Sequence, residues 1–216
     1  MRRRRSPVSA SVLRRAEDTI DLVRYLDHVL IATDDIDAAI ARLRTDHGLG
    51  ALERRSSPVP GVVNVAIPLA PPTYLELVMA TDPTAHPAAA DLAAARSGLF
   101  TWAIEAEDLD AVAEERGVER CDYPQWSVVS AVDPGLPFFI RYNQSRAERL
   151  PYWTDAYARA AHECAPGRIT AVRLGGDAAA ARRWVGEVDV PILFGGPGRG
   201  MTTVVIETAA GPITLA

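Results

Sequence analysis

Between residues 26 and 79 the chain changes its hydrophobic period twice. Residues 26–33 form a nearly unbroken apolar run, the pattern of a buried strand. Ile36, Ala39, Ile40 and Leu43 then recur at i, i+3, i+4 and i+7, which puts them on one stripe of a helix. Asp34 is placed to cap that helix, because its carboxylate can accept from backbone N–H groups left unpaired in the first turn. Asp35 and Asp37 suit the positive end of the helix dipole, and Gly48 and Gly50 end the pattern. Strand-like runs return at 51–55, 62–68 and 73–79, separated by Pro and Gly turns. The order is β-α-β-β-β.

The same order follows a second time. A strand at 99–105 leads into a helix at 107–116, with Leu109, Val112 and Ala113 inward and Gly117 as its stop. Laying Ile36 on Leu109 also lays Ala39 on Val112, Ile40 on Ala113, and Asp34-Asp35-Ile36-Asp37 on Glu107-Asp108-Leu109-Asp110. Stripe and cap matching in one register indicate an internal repeat. Strands at 119–121, 127–132 and 137–142 complete it. A third, shortened unit is read at 167–216, with strands at 169–174, 190–194, 201–208 and 212–215 and a helix at 177–185. Gly175-Gly176-Asp177 stands there in place of the acidic cap. The resulting division is a disordered or extended tail (1–24), a first unit (25–80), a helical spacer (81–98), a second unit (99–145), a second spacer (146–166) and the third unit.

Charge sharpens this division. Lys is absent, and six of the 23 Arg residues fall within the first fifteen positions, which hold no acid. The rest of the chain carries 17 Arg against 28 acids. An acidic body offers no broad basic field for nucleic acid, so no nucleic-acid partner is expected. The Arg-rich start is followed by no apolar signal core. The longest charge-free stretch, residues 62–75, is too short and too rich in Pro to span a bilayer. No membrane partner and a cytoplasmic location are therefore expected. Cys121 and Cys164 lie too far apart in sequence for a compact thiolate zinc motif.

Short motifs inside the repeat add a family resemblance. Leu26-Asp27-His28-Val29 precedes the acidic helix start, Asn64 sits in Val63-Asn64-Val65-Ala66-Ile67-Pro68-Leu69, Tyr74-Leu75-Glu76-Leu77-Val78 closes the first unit, and Leu136-Pro137-Phe138-Phe139-Ile140 closes the second. In this order, over roughly residues 25–216, they resemble the bacterial glyoxalase-like domains of the vicinal-oxygen-chelate superfamily. The resemblance implies an α+β fold of repeated β-α-β-β-β units with strongly curved mixed sheets. It also implies a concave face where the first strand of each unit supplies a His or similar ligand, and the last a Glu, to a divalent metal that chelates substrate oxygens.

Two of those four positions are filled. His28 shares a strand face with Leu30 and Ala32, and Glu76 shares one with Tyr74 and Val78. A carboxylate inside an apolar strand is costly to bury unless it is paired or metal-bound. His28 and Glu76 either hold a metal ion or hydrogen-bond each other or a water. In the second unit the counterpart of His28 is Thr101, or Trp102 after a one-residue slip, and Glu76 aligns with Arg141. A guanidinium has no lone pair for a metal and repels a cation in the concave face. It suits instead an anionic substrate group or a pair with Glu76.

The expected function is accordingly a small-molecule binding protein, metal-free and without a cofactor, whose cleft takes an anionic or aromatic organic ligand. The expected ligand-binding set is His28, Asn64, Tyr74, Trp102, Trp126, Phe138 and Tyr142, with Glu76 and Arg141 as its chemically active pair. The alternative is a metal-dependent lyase, isomerase or dioxygenase of the same superfamily, with His28 and Glu76 as ligands. Two further expectations concern the third unit. Its apolar concavity is covered either by the same unit of a second chain, giving a homodimer through residues 169–216, or by the spacer at 146–162. The glycine-rich stretch 195–200 lacks the Lys-Ser or Lys-Thr of a phosphate loop and is expected to be a hairpin connection.

Overall fold

The computed structural model describes residues 24–133 and 135–216. The expected tail, Arg24 apart, lies outside the described residues. The described elements are β1 (Tyr25–Ala32), α1 (Ile36–His47), β2 (Arg55–Ser56), β3 (Val62–Pro68), β4 (Tyr74–Ala80), α2 (Pro87–Ala95), β5 (Gly98–Glu105), α3 (Leu109–Arg116), β6 (Arg120–Asp122), β7 (Trp126–Val129), β8 (Phe138–Tyr142), α4 (Arg146–Arg159), β9 (Pro166–Gly175), α5 (Ala178–Val185), β10 (Ile192–Gly196), β11 (Gly200–Thr208) and β12 (Ile213–Leu215). The strand expected at 51–55 is shorter than its pattern, since only Arg55 and Ser56 pair with β3.

The two repeats form one eight-stranded sheet in the order β2-β3-β4-β1-β5-β8-β7-β6. β1 and β5 meet antiparallel at its centre, each with the closing strand of its own unit, β4 or β8, parallel on its outer side. Side chains then alternate between two faces. Odd positions of β3 and β4, such as Val65, Ile67, Leu75 and Leu77, enter the core, together with Trp102, Ile104 and Phe139. Even positions, such as Asn64, Ala66, Tyr74, Glu76 and Val78, line a cleft on the opposite, concave face.

Helices α1 and α3 cover the core face. Asp35 caps α1 by accepting from the Ala38 N–H at 2.9 Å, and Asp108 caps α3 by accepting from the Ala111 N–H at 2.9 Å. The two caps keep the register of the repeat, but the first cap is Asp35 and not Asp34. The Thr33 hydroxyl accepts from the Asp35 N–H and donates to the Asp35 carbonyl, so a local turn delays helix entry by one residue. Ile36, Ala39, Leu109 and Val112 are buried beneath the sheet.

The third unit keeps the chain order of the repeat but not its strand order, which is β10-β9-β11-β12. Its first strand is internal, parallel to β10 and antiparallel to β11. The stretch 195–200 is therefore a crossover around the end of β9 and not a hairpin. A Cβ at Gly175 would lie 2.5 Å from the Pro197 carbonyl oxygen, so glycine is what lets this connection pass. Ile169, Val172, Val204 and Ile206 share one core with Leu26, Trp102 and Ile104 of the large sheet. The apolar face expected to recruit a second copy is thus covered within the chain, which removes the reason given for a dimer through 169–216.

Candidate functional site

Two β-bulges shape the centre of the cleft. In the β1–β5 ladder Leu26 pairs with Ile104 and His28 with Ala103, so Asp27 is the extra residue on β1. Leu30 pairs with Thr101 and Ile31 with Leu99, so Phe100 is the extra residue on β5. Asp27 and Phe100 occupy the same position in the register that lays Ile36 on Leu109, and the bulge recurs with the repeat. A bulge re-aims side chains that a regular strand would send to opposite faces. Asp27 and His28 are brought together this way, and Phe100 and Thr101 both line the cleft.

Asp27 is fully buried and anchors a polar cluster. Its carboxylate accepts from His28 Nδ1 at 2.7 Å and from the Tyr142 hydroxyl at 2.8 Å, with Arg149 Nη1 at 3.4 Å. The Tyr74 and Tyr142 hydroxyl oxygens are 3.4 Å apart. The Tyr142 proton is committed to Asp27, so Tyr74 donates to Tyr142. Arg149 also donates to Glu105, which accepts from Arg146 at 2.8 Å, and its guanidinium lies 3.8 Å from the Tyr142 ring centroid. Burial pushes the Asp27 carboxyl up, but the hydrogen bond from His28 and the nearby Arg149 charge outweigh this and hold it below its ordinary value. Burial, reinforced by the Asp27 charge, raises both tyrosines well above the usual phenol range, so both remain neutral donors.

With Nδ1 donating to Asp27, His28 presents Nε2 to Glu76, whose Oε2 is 3.5 Å away. That is longer than a well-formed hydrogen bond. Asn64 Nδ2 donates to the other carboxylate oxygen, Oε1, at 2.5 Å. One imidazole nitrogen and one carboxylate oxygen are therefore left facing each other at the cleft. The His28 ring is stacked on Tyr74 at 4.6 Å, and Tyr74 on Trp153 of α4 at 4.1 Å. The cleft has a volume of about 500 Å³.

Of the residues expected from sequence, His28, Asn64, Tyr74, Glu76, Trp126, Phe138 and Tyr142 line this cleft, as does Thr101. Trp102 and Arg141 do not. Trp102 has the opposite strand parity to Thr101 and is completely buried in the core. Arg141 shares the parity of Phe139, away from the cleft-lining Phe138, Ile140 and Tyr142, and is exposed. The ladder explains the error. Leu30 and its repeat counterpart Ala103 pair with Glu76 and Phe138, so the true counterpart of Glu76 is Phe138. Placing Arg141 there shifts the strand by an odd number of positions, which reverses its faces.

The sequence reading missed Asp27 as a site residue, and Arg149 and Glu105 altogether. Asp27 had a signal, an acid inside an apolar strand. Arg149 had a weaker one: it lies on the helix stripe shared with Trp153 and Ala156. Tyr152 and Trp153 of α4 also line the cleft.

A family model described as a glyoxalase-like domain matches residues 26–188. The chain belongs to this glyoxalase-like domain family. Among solved structures, this glyoxalase-like domain is similar to a hypothetical protein from Staphylococcus aureus, at 16% identity over 87% of this chain and 92% of that one, with a TM-score of 0.62. That likeness is one of fold. Methylmalonyl-CoA epimerases also match, from Streptomyces coelicolor (21% identity, 57% of this chain and 99% of that, TM-score 0.45) and from Mycobacterium tuberculosis (22%, 55% and 86%, TM-score 0.43). A search of curated proteins gives no match.

The family implies a divalent metal, and the donor set tests whether one fits. His28 Nε2 and Glu76 Oε2 face each other, and a histidine whose other nitrogen is held by a carboxylate is in the state metal ligands adopt. The cation that was expected to repel a metal, Arg141, is outside the cleft. Thr101 and Phe138, at the second-unit positions, add a hydroxyl and nothing. Among the described residues there is no group of three or more His, Cys, Asp and Glu side chains suited to a metal. The residues fit a two-ligand site completed by substrate or solvent oxygens. They do not fit the two-His, one-carboxylate set of non-haem iron oxygenases. Among the described residues no helix is long and apolar enough to cross a membrane.

Proposed function

We propose that this glyoxalase-like domain is a lyase or isomerase that moves a proton beside a carbonyl of a small oxygenated substrate, with His28 and Glu76 as its reacting pair. The observation that supports this is the 3.5 Å approach of His28 Nε2 to Glu76 Oε2 in the cleft, each held from behind by a separate partner. Asn64 fixes Glu76 Oε1, so Oε2 is the carboxylate oxygen that takes a proton from substrate carbon. Asp27 fixes His28 Nδ1–H, so Nε2 is the nitrogen turned to the substrate oxygens. His28 Nε2 and Glu76 would hold a divalent ion, which would supply Lewis acidity to the substrate carbonyl; Glu76 Oε2 serves as the base when it is released from that ion. Tyr74 and Trp153 close the cleft beside the pair and limit water.

Metal-free binding is the weaker reading, because its main support was a guanidinium at Arg141 in the cleft. The test has two parts. Purified protein is titrated with Zn²⁺, Ni²⁺, Co²⁺ and Mn²⁺. Deuterium uptake at the carbon next to the carbonyl of hydroxyacetone is then followed by NMR. Saturable binding of one ion per chain, lost with His28→Ala, and uptake abolished by Glu76→Gln are expected. Uptake that survives Glu76→Gln, or no uptake with any ion, overturns the assignment.

A further inference from the structure

The cleft is divided between the two repeats, and the division specifies what it accepts. At the two equivalent bulges the first unit carries Asp27 and His28, whereas the second carries Phe100 and Thr101. At the two equivalent ladder positions the first unit carries Glu76 and the second Phe138. At these matched places the acid–base groups thus come from one repeat alone, and the other presents two phenyl rings and one hydroxyl. The cleft-facing positions of the first unit are graded as well. Along β3 they run Val62, Asn64, Ala66, and along β4 they run Tyr74, Glu76, Val78. The polar pair sits mid-strand, with an aromatic end at Tyr74 and an aliphatic end at Val62 and Val78.

The aliphatic end is a built wall. α2, the spacer between the repeats, packs Leu92 onto Val62 and Val78, with Leu30, Val59 and Phe100 against the same cluster. Leu30, Val59 and Phe100 are only partly buried and line the cleft. A volume of about 500 Å³ exceeds what a three-carbon substrate fills and lies in the range of sites for drug-sized molecules. The charges in the lining point the same way. Asp133 is paired with Arg199 at 3.0 Å, which leaves Glu53, Glu76 and Asp91 against the single guanidinium of Arg55 among the described lining residues. With no cation bound at His28 and Glu76, an anionic ligand meets net repulsion there, which favours the aromatic or apolar side of the anionic-or-aromatic expectation.

We infer that the ligand is an uncharged amphipathic carbonyl compound, with its oxygenated head at His28 and Glu76 and an apolar body of several carbons against α2, Val62, Val78 and Phe100. This deepens the reading above and rests on it for the position of the head. The probes, used on protein stripped of divalent ions with a chelator, are 1-hydroxy-2-ketones of four, six, eight and ten carbons and the 2-oxo acids of the same lengths, with binding read by tryptophan fluorescence, since Trp126 and Trp153 line the cleft. Each added pair of methylenes is expected to tighten ketone binding by about tenfold until the wall is filled. Each ketone is expected to bind at least tenfold more tightly than its matching acid.

Leu92→Ala and Phe100→Leu are expected to flatten the dependence on chain length. His28→Ala is expected to weaken all lengths by a common factor and leave the slope intact. Circular dichroism confirms that each variant is folded, and Phe100→Leu keeps more bulk in the wall than an alanine would. Affinity independent of chain length, or acids binding more tightly than ketones, overturns the ligand class. The two proposals fail separately. A length slope without deuterium uptake removes the catalytic assignment alone, and uptake from hydroxyacetone without a length slope removes the ligand class alone.

Discussion

His28 Nδ1 and the Asp27 carboxylate are 2.7 Å apart although the two residues are neighbours in one strand. In a regular strand their side chains would leave on opposite faces. The bulge at Asp27 cancels that alternation and makes the carboxylate a fixed support for the imidazole. It also buries a charge, which Arg149 and the Tyr142 hydroxyl compensate.

That arrangement makes stability depend on acid. Asp27 has a folded-state pKa below its ordinary value of 3.8. Between those two values the unfolded chain binds more protons than the folded one, so stability rises with pH across that window. The contribution is fully present above about pH 4 and is lost as pH falls through the folded value. Asp27→Asn is expected to flatten this part of the stability curve measured by urea unfolding between pH 2.5 and 6. At neutral pH the same change removes the buried carboxylate that faces His28, Tyr142 and Arg149, while Arg149 keeps Glu105, at a cost of about 1–3 kcal/mol. An unchanged acid limb in the variant would contradict the role of Asp27.

The two arginines Arg141 and Arg149 give a sharper contrast. Arg141 is exposed on the face away from the cleft, and Arg149 is 7% exposed between Asp27 and Glu105. Arg141→Met is expected to leave both the unfolding midpoint and the ketone affinities unchanged. Arg149→Met is expected to cost about 3–5 kcal/mol, since it takes the guanidinium from the fully buried Asp27, while Glu105 keeps Arg146. Arg149→Lys should recover only part of this, because an ammonium cannot span both acids as a planar fork does. Equal effects of the Met changes at 141 and 149 would show that the cleft is built differently.

How much of this is legible in the sequence follows from the kind of signal each residue carries. The caps and helix stripes repeat in one register because helix starts have strong local chemistry, and they reveal the two-unit layout. Strand ends carry no comparable local mark. Without one, the closing strand of the second unit slips in alignment, and that exchanges Phe138 for Arg141 in the site. Bulges leave no trace in hydrophobic period, so Trp102 reads as a possible lining residue. Arg149 comes from a helix outside the repeat, and only the tertiary fold brings it to Asp27. The same limit applies to the third unit, whose chain order is visible and whose strand order is not.

Trp102 offers a test of the core face. It is completely buried, and its indole N–H has no hydrogen-bond partner among the described residues. Trp102→Phe removes an unpaired polar group together with some volume, two opposed effects, and is expected to cost less than about 2 kcal/mol. Trp102→Ala opens a cavity beside Val29 and Ile104 and is expected to cost about 3–5 kcal/mol. Neither should alter the dependence of ligand affinity on chain length. A change in that slope for Trp102→Phe would return Trp102 to the cleft.

His162 ties α4 to the first unit, and so to the site that α4 closes. Its Nδ1 accepts from the Gly50 N–H at 2.9 Å. A Cβ at Gly50 would lie 1.9 Å from the Ala160 carbonyl oxygen, so the end of α4 sits directly on this backbone. Burial, with the Arg44 charge nearby, holds the His162 imidazole below its ordinary value of 6.5, and the bond from Gly50 requires the unprotonated Nδ1. The lowered folded value means that the unfolded chain takes up the proton first as pH falls. The contribution is therefore fully present above about pH 6.5 and is lost as pH falls through the folded value. His162→Asn offers an amide oxygen to Gly50 and does not titrate. It is expected to remove the dependence of the unfolding midpoint on pH between 5 and 7, while Gly50→Ala lowers that midpoint at every pH. Release of α4 would also withdraw Trp153 from Tyr74, so acid should weaken ketone binding in the wild type over the same window. Wild-type affinity that stays constant from pH 7 to pH 5 while stability falls would show that His162 supports the fold without governing the cleft.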